Sequence, residues 1–135
     1  MPCGCPEHLQ MRTERTLVTA VFGFEVESVI RHSGSFASAV REPFTILSLD
    51  VRPSEVSTLD DALEHFVTPE KVEYDEKQRT KNMRITSWPE ILVIHLKRFF
   101  YDEKASMTNK VVKKIVYPEI FSVHVRRPPP PQLLF

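Results

Sequence analysis

The stretch ILVIHLKRFFYD, Ile91 to Asp102, constrains this chain more than any other. A nearly continuous apolar run reaches a basic pair, Lys97 and Arg98, and then consecutive aromatic residues. In an extended chain successive side chains alternate between faces. Leu92, Ile94 and Leu96 therefore line one face, and Ile91, Val93, His95, Lys97, Phe99 and Tyr101 line the other. The pattern describes a strand that begins in a core and ends at a surface, either as the polar end of a central strand or as a site.

The 135 residues are a single-domain length, and such a domain buries a little under ~70% of its extended surface. A real core is therefore within reach. The 18 basic and 18 acidic side chains cancel, which removes the usual electrostatic footprint of nucleic-acid binding or of membrane anchoring. Nucleic acid and membrane are not expected partners. The apolar run from Leu17 to Phe24 is too short to span a bilayer and follows no signal-peptide basic region. The expected setting is intracellular, in cytoplasm or nucleus. Cys3 and Cys5, with His8, form a C-x-C-x-x-H array of three soft ligands, one short of a closed tetrahedral zinc site. No metal, cofactor or catalytic thiol is expected there, because no helix N-terminus or fixed imidazole is in evidence to lower a thiol pKa.

Along the chain, Met1 to Thr16 is polar and aperiodic and reads as a flexible tail. Two β-rich runs, Leu17 to Ile30 and Phe44 to Val51, bracket the small polar HSGSFAS and suggest a long hairpin. Ser57 or Thr58, followed by Asp60 and Asp61, supplies a helix start. Leu59, Ala62, Leu63 and Phe66 then give one apolar stripe, and the helix is expected to stop before Pro69. Tyr74 to Arg84, almost wholly polar, reads as a solvated loop. Asp102 to Thr108 reads as a charged connection into an antiparallel strand, Val111 to Tyr117, closed by Pro118. Beyond Val123, VRRPPPPQLLF is a polyproline II segment with a short apolar end. It reads as an untemplated tail or, with Arg126 and Arg127 flanking Pro128 to Pro131, as a ligand for SH3 or WW domains.

These pieces, in order, resemble the ubiquitin-specific proteases, papain-like cysteine enzymes that cut isopeptide bonds after the C-terminal glycine of ubiquitin. The stretch Ile91 to Asp102 resembles the family's palm strand, and EPFTILSLDV, Glu42 to Val51, the strand that closes its fingers. STLDDALEHFVTPEKVE, Ser57 to Glu73, is similar to the following helix. NKVVKKIVYPEIFSV, Asn109 to Val123, is similar to the hairpin strand with its Tyr-Pro stop. FGFEVESVI, Phe22 to Ile30, resembles the first finger strand, with Phe24 where a second glycine is usual. The resemblance implies an α+β fold, mainly antiparallel sheet with one short helix. It covers residues 17–123 as a partial catalytic domain of fingers and palm, between an N-terminal tail (1–16) and a Pro-rich tail (124–135).

The family's Gly-x-Thr-Cys box and His-x-Gly-x-x-x-Gly-His-Tyr box do not occur in this sequence. A thiolate activated by an oriented imidazole cannot be assembled from the family's own residues here. No catalytic residue is therefore assigned. The expectation is a fragment of a ubiquitin-specific cysteine protease, inactive as this chain alone. The alternatives are a non-catalytic relative that binds ubiquitin or a protease partner, and an interaction module built on the Pro tail. Ubiquitin, ubiquitinated proteins and the remainder of the catalytic domain are the expected partners.

The resemblance carries two further implications. The family's two zinc knuckles fall at Arg31 and Gly34 and at Glu76 and Arg79, none of which suits zinc-thiolate chemistry. A structural zinc can supply on the order of 10–16 kcal/mol of apparent folding free energy, so Arg31 to Ala39 and Asp75 to Asn82 are expected to be loosely ordered. Phe99 and Tyr101 match aromatic positions that flank the extended tail of ubiquitin, where flat rings with a phenolic tip suit a peptide offering mostly backbone. The competing expectation packs Phe99 into the core and leaves Tyr101 capping a sheet edge. Lys97 and Arg98 are expected to lay their stems along the sheet with their charges in water.

Overall fold

A computed structural model describes residues 15–33, 35–74 and 77–123. The chain runs α1 (Leu17–Phe22), β1 (Phe24–His32), β2 (Ser35–Phe44), β3 (Leu47–Asp50), α2 (Leu59–Val67), β4 (Glu70–Tyr74), β5 (Lys77–Ser87), β6 (Ile94–Lys97), β7 (Phe99–Asp102) and β8 (Met107–Lys110). The class is α+β and mainly antiparallel, as the resemblance implies, with a second helix that it does not.

That second helix replaces the first part of the expected β-rich run. Thr16 and Thr19 close a capping box: the Thr19 N–H donates to the Thr16 hydroxyl at 3.2 Å and the Thr16 N–H to the Thr19 hydroxyl at 2.9 Å. Reciprocal capping of this kind satisfies two otherwise orphaned donors and outweighs the β-branched composition of Leu17 to Phe22. Gly23 ends the turn, its N–H donating to the Thr19 carbonyl at 3.0 Å, and a Cβ at this position would lie 2.2 Å from that oxygen.

β1, β2, β4 and β5 form one antiparallel sheet in the order β2-β1-β5-β4. The hairpin partner of β1 is therefore Ser35–Phe44, not the expected Phe44 to Val51. The polar Tyr74 to Arg84 segment is not a loop either. Most of it is β5, which pairs with β1 on one edge and β4 on the other, so backbone pairing sets its conformation although Met83 is the one large apolar side chain between Lys77 and Arg84. The expected loose regions are likewise largely strand: Arg31 pairs with Phe36 and Thr80, and His32 with Ser35 and Arg79.

β3 pairs with β6 in parallel, Leu47 opposite Ile94 and Leu49 opposite Leu96. Parallel strands need a long crossover, and α2, β4 and β5 lie within it. α2 starts as expected, with Thr58 and Asp61 forming a capping box. Its Ala62 is buried, and Leu59, Leu63 and Phe66 pack against the core made by Phe24, Val26, Leu47, Leu49, Val51, Val56 and Ile115. Leu92, Ile94 and Leu96 join that core, as the alternation of the palm strand requires.

The palm strand is not continuous. It breaks at Arg98 into β6 and β7, and Ile91 to Val93 lie outside the strand. The antiparallel partner of β7 is Met107–Lys110, closed by a tight turn in which the Asp102 carboxylate accepts from the N–H groups of Lys104 and Ala105 while Ser106 takes φ 50°. Val111 to Tyr117, the expected partner, forms no strand and makes one parallel bridge between Val116 and Thr58. Proximity to the start of α2, not a ladder, fixes that segment: the Leu59 N–H donates to the Val116 carbonyl at 2.9 Å.

Candidate functional site

The break at Arg98 turns the aromatic residues into a projecting hairpin. Phe99 lies opposite Lys110 and Tyr101 opposite Thr108, so the two rings share one face, and they are exposed at 67% and 62%. The expectation that Phe99 packs in the core is overturned by that exposure. The Lys110 ammonium stands 5.7 Å from the centroid of the Phe99 ring, and Lys110 thus borders the same face with positive charge.

The other face is tied down. Phe100 is half-buried, with the Arg52 guanidinium 5.7 Å from its ring centroid. Arg52 is held by Asp50: its Nε donates to Oδ1 at 3.0 Å and its Nη2 to Oδ2 at 2.7 Å, and its backbone N–H also donates to Oδ1 at 3.0 Å. Hydrogen bonds from Arg52 outweigh burial and hold the Asp50 carboxyl below its ordinary pKa. Asp50 raises Arg52 in return.

Arg98 anchors the base of the hairpin. Its carbonyl accepts from the Val111 N–H at 2.6 Å, and its guanidinium donates to the carbonyls of Val111 and Lys113 at 3.3 and 2.7 Å. This corrects the expectation that Arg98 holds its charge in water. The carbonyls left without a ladder after β8 need a donor, and the guanidinium supplies several. Lys113 passes the anchor on by donating to the Pro53 carbonyl at 2.6 Å. Across β3 and β6, Ser48 Oγ and His95 Nδ1 stand 3.3 Å apart.

A second charged assembly lies in the four-stranded sheet. Glu27, 6% exposed, accepts from Arg41 Nε at 3.1 Å and is paired with Arg84. Burial alone would raise the Glu27 carboxyl, but hydrogen bonds and charge from Arg84 and Arg41 more than offset it, and the net shift is downward. Reading the sequence missed both this cluster and the Asp50–Arg52 clamp. Asp50 and Arg52, two residues apart on one face of an extended chain, were the visible signal for the clamp. Glu27 stood out as a carboxylate inside an apolar run, but naming its partners requires the register of two other strands.

Of the residues aligned with the zinc knuckles, Arg31 and Arg79 lie at adjoining positions of the β1–β5 ladder, Arg31 opposite Thr80 and His32 opposite Arg79. Arg31 and Arg79 are cations and cannot ligate zinc; Gly34 and Glu76 lie outside the described residues. The donor set does not fit the metal. Among the described residues, no group of three or more His, Cys, Asp or Glu side chains could hold a metal ion. Cys3, Cys5, His8 and the Pro-rich tail also lie outside the described residues. Among those described, no helix is long and apolar enough to cross a membrane.

Fold and site together define a sheet-rich α+β segment with an exposed aromatic hairpin. The family model described as ubiquitin carboxyl-terminal hydrolase matches residues 5–129, and the chain belongs to that family. Probable ubiquitin carboxyl-terminal hydrolase 3 of Schizosaccharomyces pombe is 36% identical over 115 residues, covering 82% of this chain and 22% of its own length. Ubiquitin carboxyl-terminal hydrolase 10 of Rattus norvegicus is 37% identical over 110 residues, covering 77% of this chain and 14% of its own. Among solved structures, a yeast SAGA deubiquitinase module with a mutant Sgf73 superposes at a TM-score of 0.69, with 25% identity over 77% of this chain and 26% of that one. The SAGA module of Ubp8, Sgf11, Sus1 and Sgf73 bound to monoubiquitin gives 0.68, with 26% identity over 77% and 25%. The chain thus spans about a quarter or less of the proteins it matches, and the ubiquitin-specific protease resemblance stands.

Proposed function

We propose that this chain is the fingers-and-palm part of an intracellular, thiol-dependent deubiquitinase, in which Phe99 and Tyr101 border the extended C-terminal tail of ubiquitin. The observation that carries this reading is the two-sided hairpin: Arg52 covers one face, Arg98 holds the base, and the other face presents two large rings to solvent. Exposed rings on a fixed strand offer contact area to a peptide at low entropic cost. A structural match bound to monoubiquitin supports ubiquitin as the partner.

No cleavage of a ubiquitin amide by this chain alone is expected, because neither family box is in its sequence. The test is a fluorescence titration of labelled ubiquitin with the 135-residue chain and with Phe99→Ala/Tyr101→Ala. Saturable binding that weakens at least ~10-fold in the double variant supports the reading, as expected for removing two aromatic anchors. Equal binding by both proteins contradicts it.

A further inference from the structure

Phe99 and Tyr101 lie on a hairpin of four residues per strand, and an isolated pair that short is marginal in water. Something outside the hairpin must hold the rings in place. Arg98 fixes the base of β7, but its hydrogen bonds reach only the segment that follows β8. Contact along the strand itself comes from Arg52, which lies just beyond the end of β3 and covers the inner face of Phe100. Arg52 is exposed and long, and left alone it would sample many rotamers. The Asp50 carboxylate removes that freedom by binding it at two nitrogens, a planar fork that a lysine could not reproduce.

The geometry points to Asp50, Arg52 and Phe100 as a positioning relay that sets the angle of the β7–β8 hairpin, so that Phe99 and Tyr101 are pre-arranged for the ubiquitin tail. Asp50 belongs to the parallel β3–β6 pair, and Leu49 and Val51 on either side of it are fully buried. The relay therefore references the exposed rings to fully buried core residues. Phe100 turns away from Phe99 and Tyr101 by strand alternation, so its contribution to binding acts through the hairpin and not through contact. The proposal rests on the reading of Phe99 and Tyr101 as the tail-facing pair.

Two measurements on the full chain test it. In the free protein, backbone amide order parameters at residues 99–102 should fall in Arg52→Gln and in Phe100→Leu, with α2 amides unchanged as an internal check that the fold is intact. In ubiquitin titrations each variant should weaken binding by roughly two- to five-fold, the range of one exposed cation–π contact. The combined variant should lose no more than either alone. Phe100→Trp, which keeps a ring face for the guanidinium, should retain affinity where Phe100→Leu does not. Additive losses, or unchanged order in both single variants, would overturn the relay. If the unmodified chain shows no ubiquitin binding, the tail-facing reading fails and the relay's role in binding fails with it. Binding that depends on Phe99 and Tyr101 but not on Arg52 sinks the relay alone.

Discussion

The four-stranded sheet is one ladder built two ways. At its base, Phe24 and Val26 on β1 are buried, Met83 and Ile85 on β5 pack beside them, and α2 and β3 close that face. Toward its tip, beyond Glu27, no residue of β1 is buried, Val29 and Ile30 being half-buried, and the edge strand β2 is exposed along its whole length, with Phe36 and Val40 toward its outer end. Apolar burial of ~1.5–3 kcal/mol per large side chain stabilises the base. The tip has its backbone pairing, and Glu27, gripped by Arg41 and Arg84, binds three strands together where the two regions join. The contrast shows how these strands stay paired where the residues aligned with the family's zinc knuckles do not suit zinc-thiolate chemistry.

The largest expected effect that would break this contrast lies in the core. Leu49→Ala should cost ~2–5 kcal/mol, a large share of a typical domain's ~5–15, whereas Phe36→Ala at the tip should cost under ~0.5. Urea midpoints of the two variants check it, and equal shifts would mean that the tip is covered after all. Arg84→Met comes next. It leaves the Glu27 carboxylate buried with Arg41 as its remaining cation, and should cost about 1–3 kcal/mol in the same assay.

Acid sharpens the same point. Glu27 has a lowered carboxyl pKa in the folded chain, so it binds a proton more weakly there than when unfolded. Its contribution is complete above the ordinary carboxylate range and disappears as pH falls through the folded value. Thermal midpoints should therefore drop below about pH 4, and Glu27→Gln should flatten that dependence without abolishing it, because Asp50 and Asp61 are lowered too. The smallest effect is at a helix end: Thr58→Ala, which removes the acceptor for the Asp61 N–H, should cost about 1 kcal/mol in urea.

The sequence was readable wherever burial sets the structure. α2 showed its cap and its stripe together, and Leu92, Ile94 and Leu96 marked their face by alternation. Where hydrogen bonding alone decides, the pattern misled. Leu17 to Phe22 looks like strand, yet two threonine hydroxyls make it a turn of helix. Tyr74 to Arg84 looks like loop, yet most of it is strand whose ladder two neighbouring strands supply, a non-local cause that no window of residues contains. The candidate site divides the same way. The shared face of Phe99 and Tyr101 follows from their spacing, but their exposure depends on the break at Arg98, and that break depends on carbonyls more than ten residues away.

If ubiquitin meets this chain at the β7–β8 hairpin, a shift map of the isotopically labelled chain titrated with unlabelled ubiquitin will locate the contact there. A well-dispersed spectrum is expected, with the strongest perturbations at Phe99, Tyr101 and their cross-strand neighbours Thr108 and Lys110. Perturbations absent from residues 99–110, or concentrated elsewhere on the chain, would contradict it.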